Sequence, residues 1–539
     1  MENTLFVVVS AGLCLWMVAG FAAMETGFSR AKNASNTILR CIAGLLIAIP
    51  VFLLVGSRVA GMQQDAPVEL LLAALGCAVV LCVFSGAVME RMTFAAFCAI
   101  GVLMAAGIYP LTIHMYRLVL VQWGYHDFSG LASLATLGGL AALSGAKAVG
   151  PRIGKYSGGG VSRAMPGHNI PLSLLGMLGL VACAFTLAGS TALNTHMALA
   201  LLFPLAEKLL LSACVAGLVA MLVSWARYRK PDITITGGAV LAGVIASAAG
   251  CDEVSMTGTL LMAALAGFIT VFGVENLDQF HHVDDPAGVA SVFTIGGVTG
   301  LLGVGLFSLQ RGLLYGGGFT SLGVQTLGVV AAAIWVQGSV GLLSLLLKKT
   351  VGLRLPPEQE LEGLDLSEHG LVSSYHDFSL NIDTTDWDDP YLREKNTTEM
   401  DVHARKPYVY PVGEDGVSCG TLTKIEIIAR KEKFEPLKTA LNDIGITGMT
   451  VFPVSGCGVQ KGHNELYRGI PMAVELKPKV RMEVVVAKVP VADVVNTARH
   501  VLYTGHVGDG KIFIHPLTDV VRVRTGESGY DAMQGASSE

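Results

Sequence analysis

The sequence predicts an α-helical membrane protein with about eleven transmembrane helices, followed by a C-terminal α+β domain of the ferredoxin-like type. Of the 539 residues, 52% are hydrophobic and only 15% are charged, which is too apolar for a soluble protein of this length. Long apolar segments recur throughout residues 1–349. From residue 421 onward the pattern changes to alternating strands and amphipathic helices.

The apolar segments are each about long enough to cross the ~30 Å hydrocarbon core of a bilayer. They lie at 5–27, 38–56, 69–89, 93–115, 127–149, 172–192, 197–225, 233–250, 257–275, 288–309 and 322–347. We therefore expect residues 1–349 to form a multi-pass domain whose surroundings are the lipid bilayer.

Basic residues indicate the orientation of these segments. They concentrate in or at the edges of the loops that follow the first, third, fifth and seventh segments and after the last: Arg30, Lys32, Arg40, Arg91, Lys147, Arg152, Lys155, Arg163, Arg227, Arg229, Lys230, Lys348 and Lys349. The positive-inside rule then predicts an N-terminus outside and a cytoplasmic C-terminus in the cell (inner) membrane.

Residues 283–300 contain the feature most indicative of function. Asp284, Asp285 and Pro286 stand before a long apolar segment rich in glycine. Acidic side chains can cap a helix start, and glycines allow neighbouring helices to approach closely. The stretch therefore predicts the entrance of a pore-lining helix.

The membrane segments resemble the ammonium transporter family. The motifs that carry the resemblance, in chain order, are Met89-Glu-Arg, Asp127-Phe-Ser-Gly, His168-Asn-Ile-Pro, Ala188-Gly-Ser190, Asp284-Asp-Pro, and the tail residues Val351-Gly-Leu-Arg with Glu362-Gly-Leu-Asp. The resemblance implies a homotrimer with one pore in each subunit. It also implies pore or structural roles for Asp127, Ser190, Asp284 and Asp285.

The pore itself departs from the family pattern. Family members carry two histidines that face each other at mid-membrane and line the path of the ammonium nitrogen. Counting from Asp127 and Asp285 places Ala135 and Phe293 at those positions. Neither side chain can hydrogen-bond a polar cargo or relay a proton. In addition, Arg117 aligns with the outer cation-binding tryptophan, and Gly76 lies near the position of a gating phenylalanine.

The C-terminal pattern predicts a βαββαβ domain over residues 421–530. Strands are expected at 424–430, 449–454, 481–487 and 511–514, and helices at 434–444 and 491–502. The excursion from Gly456 to Lys479 is too long for a hairpin turn and is expected to be functional. Residues 350–420 are predicted to be a cytoplasmic tail and acidic linker, and 531–539 a flexible tail.

Residues of this domain can bind a polyphosphate. Backbone N–H groups of Gly508, Asp509 and Gly510 can cradle phosphates, Lys511 supplies a point charge, and Arg522 and Arg524 supply two guanidinium groups. This combination predicts a site for an adenine nucleotide.

The same domain resembles the PII signal-transduction proteins. Its matching motifs are Thr447-Gly-Met-Thr-Val, Gly456-Cys-Gly-Val-Gln-Lys-Gly-His-Asn-Glu-Leu-Tyr-Arg-Gly, Pro478-Lys-Val, Thr504-Gly-His-Val-Gly-Asp-Gly-Lys and Val521-Arg-Val-Arg-Thr-Gly-Glu. The resemblance implies ATP or ADP binding between subunits, with Mg²⁺ and 2-oxoglutarate as further ligands. It assigns the pocket to Thr450, Gly456, Gly458 and Val485, and the placing of Mg-ATP and 2-oxoglutarate to Gln460 and Lys479.

Two positions depart from the PII pattern. Val459 stands where the family has an arginine before the glutamine, which removes one contact to the terminal phosphate. Met472 stands where some members carry a tyrosine that is uridylylated. Discrimination between ATP and ADP is therefore expected to differ, and covalent control at residue 472 is excluded.

The leading hypothesis is a membrane transport protein with an altered pore, regulated by the fused PII domain. One alternative is a non-conducting ammonium sensor, and another is a transporter or channel for a different small solute such as bicarbonate. The net charge of −5 gives no basic surface for a nucleic acid. We find no nucleophile and base that would indicate an enzyme, and no spacing that indicates a metal site.

Overall fold

The computed structural model describes residues 2–64, 67–156, 161–194, 202–371, 422–430, 433–446, 448–456, 466–467, 470–471, 477–487, 489–503 and 509–532. The chain forms two compact units. One contains the helices before residue 371, and the other contains an antiparallel sheet that begins after residue 422. The predicted acidic linker lies outside the described residues.

The first unit is built from long helices. They are α1 (Glu2–Phe28), α2 (Ala34–Val51), α3 (Pro67–Val88), α4 (Phe94–Leu103), α5 (Leu131–Val149), α6 (Ile170–Asn194), α7 (Leu202–Tyr228), α8 (Ile233–Ala248), α9 (Met256–Gln279), α10 (Val289–Phe307) and α11 (Phe319–Thr350). Within the described part of the chain, nine helices are long and apolar enough to cross a membrane, and Leu15–Phe28 and Ile233–Ala248 are shorter apolar helices. The predicted helical membrane fold is confirmed.

Two helices continue through π-helical stretches. α2 runs on through Phe52–Gly56 to Val59, and α4 runs on through Met104–Ile108 and Met115–Leu120 to Trp123. Pro50 and Pro110 stand beside these stretches, and a proline removes a donor from the helical ladder. α4 is therefore longer than the predicted segment 93–115.

α5 and α10 start in the same way. Gly130 and Gly288, with φ of 71° and 73°, directly precede them, and an aspartate stands three residues before each glycine. The left-handed conformation at both positions favours glycine. The two helices also pack closely, because a Cβ on Gly297 would lie 2.6 Å from the carbonyl oxygen of Ala132.

Two short helices follow the membrane helices, α12 (Pro357–Glu362) and α13 (Leu364–His369). The Asp365 carboxylate accepts hydrogen bonds from the backbone N–H groups of Ser35, at 3.1 Å, and Asn36, at 2.7 Å. The Leu355 N–H donates to the carbonyl of Arg91 at 3.1 Å. The tail is thereby bound to the start of α2 and to the loop that precedes α4.

The second unit has the predicted βαββαβ order. Its elements are β1 (Thr423–Arg430), α14 (Phe434–Asp443), β2 (Thr450–Gly456), β5 (Lys477–Val486), α15 (Val491–Leu502), β6 (Lys511–Pro516) and α16 (Gly529–Ala532). Two short strands, β3 (Leu466–Tyr467) and β4 (Ile470–Pro471), lie between β2 and β5 in the chain and are not part of this unit. The four long strands form an antiparallel sheet in the order β2-β5-β1-β6, and β3 pairs with β4. This is the ferredoxin-like arrangement that the sequence predicts.

The sheet has one covered and one open face. Ile425, Ile427 and Ala429 of β1 are buried in a core with Leu437 of α14 and Val494 of α15. Alternate residues of β1 point to the other face, where they are half-buried. We call this second side the open face; it is defined on β1 by Lys424, Glu426, Ile428 and Arg430.

Candidate functional site

The two predicted pore positions lie inside an apolar core. Ala135 of α5 and Phe293 of α10 are 3% and 4% exposed and belong to the same cluster of buried residues. The Phe293 ring packs on Phe21 of α1, with ring centroids 5.6 Å apart and planes tilted by 31°. Aromatic packing at this separation is favourable, and neither position carries an imidazole.

Asp127 and Ser190 both make local hydrogen bonds. The Asp127 carboxylate accepts from the backbone N–H of Gly130, at 3.1 Å, and of Ser133, at 2.7 Å, and thereby caps α5. The Ser190 hydroxyl donates to the carbonyl of Thr186 at 2.7 Å within α6. These contacts give both side chains a structural role.

Asp284 and Asp285 have different partners. Asp285 accepts a hydrogen bond from the Ala290 N–H at 2.8 Å and caps α10. Asp284 is buried and binds Arg152 through the backbone N–H at 2.9 Å, Nε at 2.8 Å and Nη2 at 2.9 Å. The two-pronged contact of a guanidinium and a carboxylate is among the stronger ion pairs in proteins.

Asp284 belongs to a buried ion network near the start of α10. Arg152 also reaches Glu90 at 3.3 Å, and Glu90 binds Arg30 at 2.7 Å. Burial by itself raises the pKa of Glu90, but the charges of Arg30 and Arg152 outweigh burial and hold the pKa at about 2. Burial likewise raises the pKa of Asp284, and the charges of Arg152 and Arg91 reverse that effect and hold the pKa well below its ordinary value.

The network borders a small cavity of about 20 Å³. Its polar lining includes Arg152, Lys155, Asp278 and Asp284, and Lys155 Nζ contacts Asp278 at 2.7 Å. A volume of this size holds roughly one water molecule. From the sequence alone, Glu90 is notable only as part of the Met89-Glu-Arg motif, and Arg152 only as a basic loop residue. The ion pairs that they form could not be predicted, because the partners lie far apart in the chain.

Arg117 and Gly76 are the two further positions at which the sequence departs from the family's pore pattern. Arg117 lies on the helical continuation of α4, its side chain is 50% exposed, and it pairs with Glu69 at 2.6 Å. A Cβ on Gly76 would lie 2.6 Å from the Tyr109 hydroxyl, so the glycine is required for packing of α3. The Arg117 charge is thus balanced by a neighbouring carboxylate.

A second polar cluster, which the sequence did not indicate, contains His126, Asp252 and Glu253. Their ligand atoms lie within 4.8 Å of one another, close enough for a metal ion. However, the Glu253 carboxylate already forms an ion pair with Arg311 and accepts a hydrogen bond from the Ser308 hydroxyl. Burial lowers the pKa of His126, but the hydrogen bond and charge of Asp252 outweigh burial, so the pKa is raised.

Val485 and Lys511, two predicted nucleotide-binding residues, lie on the open face of the C-terminal sheet. Val485 of β5 stands opposite Lys424, and Lys511 of β6 stands opposite Ile428. Directly opposed residues in antiparallel strands project to the same side. The structure therefore places these residues on the face that the helices leave uncovered.

Thr450 and Lys479 lie on the same face. Thr450 of β2 stands opposite Glu483, which stands opposite Glu426 of β1. Lys479 of β5 stands opposite Arg430. Four of the predicted residues, from three strands, thus share one surface.

The predicted phosphate loop is described from Asp509 onward. Gly510 has a φ of 130°, and a Cβ there would clash with the carbonyl oxygen of Ile428, so only glycine fits. Asp509 pairs with Arg430 at 3.4 Å. Gly456 ends β2, whereas Gly458, Gln460 and Gly508 lie outside the described residues.

The two predicted arginines differ in their surroundings. Arg522 donates to the Glu527 carboxylate at 2.7 Å and to the Ala532 carbonyl at 2.9 Å. Arg524 is exposed. A phosphate that binds Arg522 must therefore compete with Glu527, whereas Arg524 is open to solvent.

Comparisons with known proteins agree with both units. The profile of the Ammonium Transporter Family matches residues 57–374, and that of Nitrogen regulatory protein P-II matches residues 422–527. Ammonium transporter Amt2 of Archaeoglobus fulgidus is 30% identical over 405 residues, which cover 67% of this chain and 86% of the relative. The Nitrogen regulatory PII-like protein of Bacillus subtilis is 46% identical over 114 residues, 21% of this chain and 98% of the relative.

Solved structures give the same result for the membrane unit. A structure named Sensor Amt Protein aligns with a TM-score of 0.64 and 28% identity, over 68% of this chain and all of that chain (100%). Mep2 of Saccharomyces cerevisiae aligns with a TM-score of 0.57 and 17% identity over 66% of this chain and 88% of that one, which supports the fold alone. The chain belongs to the ammonium transporter family and carries a C-terminal PII domain.

Proposed function

We propose that the protein is a membrane sensor of ammonium whose PII domain binds adenine nucleotides and changes state with the membrane unit. The observation that carries the sensor hypothesis is the contact of Phe21 with Phe293 at a predicted histidine position. A buried aromatic pair offers no hydrogen bond to an ammonium nitrogen and no route for a proton. The similarity to Sensor Amt Protein supports the same hypothesis.

The second candidate is the transporter with an altered pore. It is favoured by the relatives that match most of their own length, which carry the name ammonium transporter. A bicarbonate pathway receives less support, because the positive charge of Arg117 is paired with Glu69. Under both candidate functions, the protein lies in the cell membrane and its PII domain lies in the cytoplasm.

The nucleotide site is proposed at one edge of the open face. At Gly510 the backbone approaches β1 closely, as a glycine allows, and Lys511 is the next residue in the chain. Arg524, which follows β6, is exposed. Cationic side chains and free backbone N–H groups suit the phosphates of ATP or ADP. Lys479, on the same face, is proposed to contribute to binding Mg-ATP and 2-oxoglutarate.

The open face also supports assembly. Phe452 and Phe513 are 39% and 40% exposed there, and exposed aromatic side chains on a sheet favour contact with another subunit. A trimer would bring three PII domains and three membrane units together about one axis. Because the domains share one chain, any docking is intramolecular and occurs at effective concentrations of about millimolar.

Ammonium flux into proteoliposomes tests the sensor hypothesis. We expect the wild-type protein to show no uptake above protein-free vesicles, while it binds ATP or ADP in calorimetry. The double variant A135H/F293H is expected to gain uptake, because imidazoles restore hydrogen-bonding groups at mid-membrane. Its matched control is A135S/F293L, which changes the same positions without adding imidazoles and should stay inactive.

Other outcomes decide between the candidates. Wild-type uptake at the rate of a histidine-bearing homologue would contradict the sensor hypothesis and support the transporter. Uptake of bicarbonate alone would support the different-solute hypothesis. R524A should weaken ATP binding by about tenfold, the equivalent of one charged hydrogen bond of about 1.4 kcal/mol; unchanged affinity would contradict the proposed nucleotide site.

A further inference from the structure

Glu25 is a buried carboxylate to which the sensor hypothesis has given no role. It lies in α1 and is 0% exposed. Its Oε2 atom accepts a weak hydrogen bond from the Cys41 thiol at 3.5 Å, and its Oε1 atom has no hydrogen-bond partner among the described residues. By contrast, Asp284 and Glu90 are bound by arginines.

The carboxyl group faces the start of α10. A Cβ built on Gly86 of α3 would lie 3.3 Å from Glu25 Cδ, 3.3 Å from Ala287 Cβ and 3.2 Å from Val289 Cγ2. These atoms therefore converge around one point. α1, α3 and the beginning of the proposed pore helix meet at Glu25.

This point is one helical turn from the aromatic pair. Glu25 follows Phe21 by four residues on α1, and Val289 precedes Phe293 by four residues on α10. Residues four apart lie on the same face of a helix, about 6 Å along its axis. The carboxyl therefore lies just beyond the Phe21–Phe293 contact, on the side of the Asp284 network.

The polar and charged groups that act on the Glu25 carboxylate come from α2 and α3. From α2, Cys41 and Arg40 act on the carboxylate. Arg40 Nη2 donates to the Met92 carbonyl, whereas Arg40 Nε and Nη1 meet no acceptor among the described residues. From α3, the Ser85 hydroxyl lies near enough to favour the charged carboxylate. Within the described residues, however, no group meets Ser85 Oγ in hydrogen-bond geometry.

Further neighbours are weakly polar or apolar. Cys82 of α3 stands next to Cys41. Ala287 and Val289 are the apolar neighbours on the α10 side. Thus neither Glu25 Oε1 nor Ser85 Oγ has a partner in hydrogen-bond geometry in the part of the protein that the structure describes, although the two groups are close to each other.

We propose that Glu25 and Ser85 form an intramembrane binding site for a small cation that donates hydrogen bonds, namely the ammonium ion or a proton. Ionisable residues inside a membrane domain are costly and commonly serve a ligand, a proton or an ion. A cationic donor would neutralise the carboxylate and donate hydrogen bonds to Glu25 Oε1 and Ser85 Oγ. The inference rests on the proposed sensor function, because occupancy of this site is what the sensor would detect.

Infrared difference spectroscopy of the full-length protein in lipid vesicles tests the site directly. The probes are ammonium chloride, potassium chloride at equal ionic strength, and a pH step without ammonium. We expect a change in the carboxyl C=O band on adding ammonium or on the pH step that is absent in E25Q and present in E25D. The matched control E207Q removes an exposed glutamate from α7 and should behave as wild type.

The outcomes separate the site from the function. A band change with ammonium but not with potassium identifies the ammonium ion, and a change in the pH step alone identifies the proton. A band change that persists in E25Q, or no change in the wild type under any probe, overturns the proposal. If the Glu25 band responds to ammonium while the affinity of the PII domain for nucleotides does not change with ammonium, the proposed sensor function is wrong and the proposed binding site is supported.

Discussion

Phe21 and Phe293 pack together in the core of the membrane unit, with ring centroids 5.6 Å apart. The contact joins α1 to α10, whose starting aspartate and glycine match those of α5. The family scaffold is thus retained while the predicted histidine positions are filled with apolar side chains. Phe21, Ala135 and Phe293 all belong to one cluster of buried apolar residues.

Replacement of Phe293 with alanine should destabilise the membrane unit by about 3–5 kcal/mol, because it removes a buried ring and leaves a cavity. Chemical unfolding of the protein in mild detergent would measure the loss. The control is F203A, since Phe203 is 76% exposed on α7 and its truncation should change the unfolding free energy by about 0.5 kcal/mol or less. Equal effects of the two variants would contradict the buried position of Phe293.

D284N should destabilise the membrane unit by about 3–5 kcal/mol, because it removes the charge of the carboxylate that binds Arg152 in two places and leaves Glu90 as the remaining acidic partner of this buried guanidinium. The matched variant E69Q breaks the exposed pair with Arg117 and should cost about 1 kcal/mol at most. The midpoint of thermal unfolding, compared between the two variants, provides the measurement. A smaller loss for D284N than for E69Q would rule out the buried network as a source of stability.

Acid should weaken the membrane unit through Glu90. Its pKa of about 2 lies below the ordinary value of 4.5, so Glu90 stabilises the folded state above about pH 4.5 and loses that contribution as the pH falls through 2. Unfolding midpoints between pH 7 and pH 3 should therefore fall on acidification, and less steeply in E90Q. The same slope in both proteins would show that other groups control acid sensitivity.

The His126–Asp252 pair predicts an opposite pH dependence. The folded-state pKa of His126 is raised above 6.5, so its contribution to stability is fully present below that value and lost as the pH rises through the folded pKa. H126N should remove this component and flatten the decline of the unfolding midpoint above pH 6.5. A decline that persists in H126N would show that another group produces it.

G510A should disturb the junction of β6 with β1. The φ of 130° at Gly510 and the nearby carbonyl oxygen of Ile428 leave no room for a side chain. We expect a loss of about 1–3 kcal/mol and weaker nucleotide binding, measured by thermal unfolding and calorimetry. G448A is the matched control, because a Cβ on Gly448 would meet nothing within 4 Å; equal losses would contradict the steric argument.

Local patterns in the amino-acid sequence were enough to predict the fold of both units. Apolar segments of membrane-spanning length predict the helices, and period-two and helical patterns between Lys424 and Ile514 predict the βαββαβ order that the sheet shows. Motif spacing also singled out Ala135 and Phe293. These features depend on local composition and on distances along the chain, which a sequence displays directly.

Which side chains meet, in contrast, follows only from the packed helices. Arg152 and Asp284 are 132 residues apart in the chain, yet they form a bidentate pair. Phe21 has no distinguishing sequence pattern, and Glu25 gains its meaning only from the helices that bury it. Pairing and burial depend on how helices pack across long separations, and no local pattern specifies them.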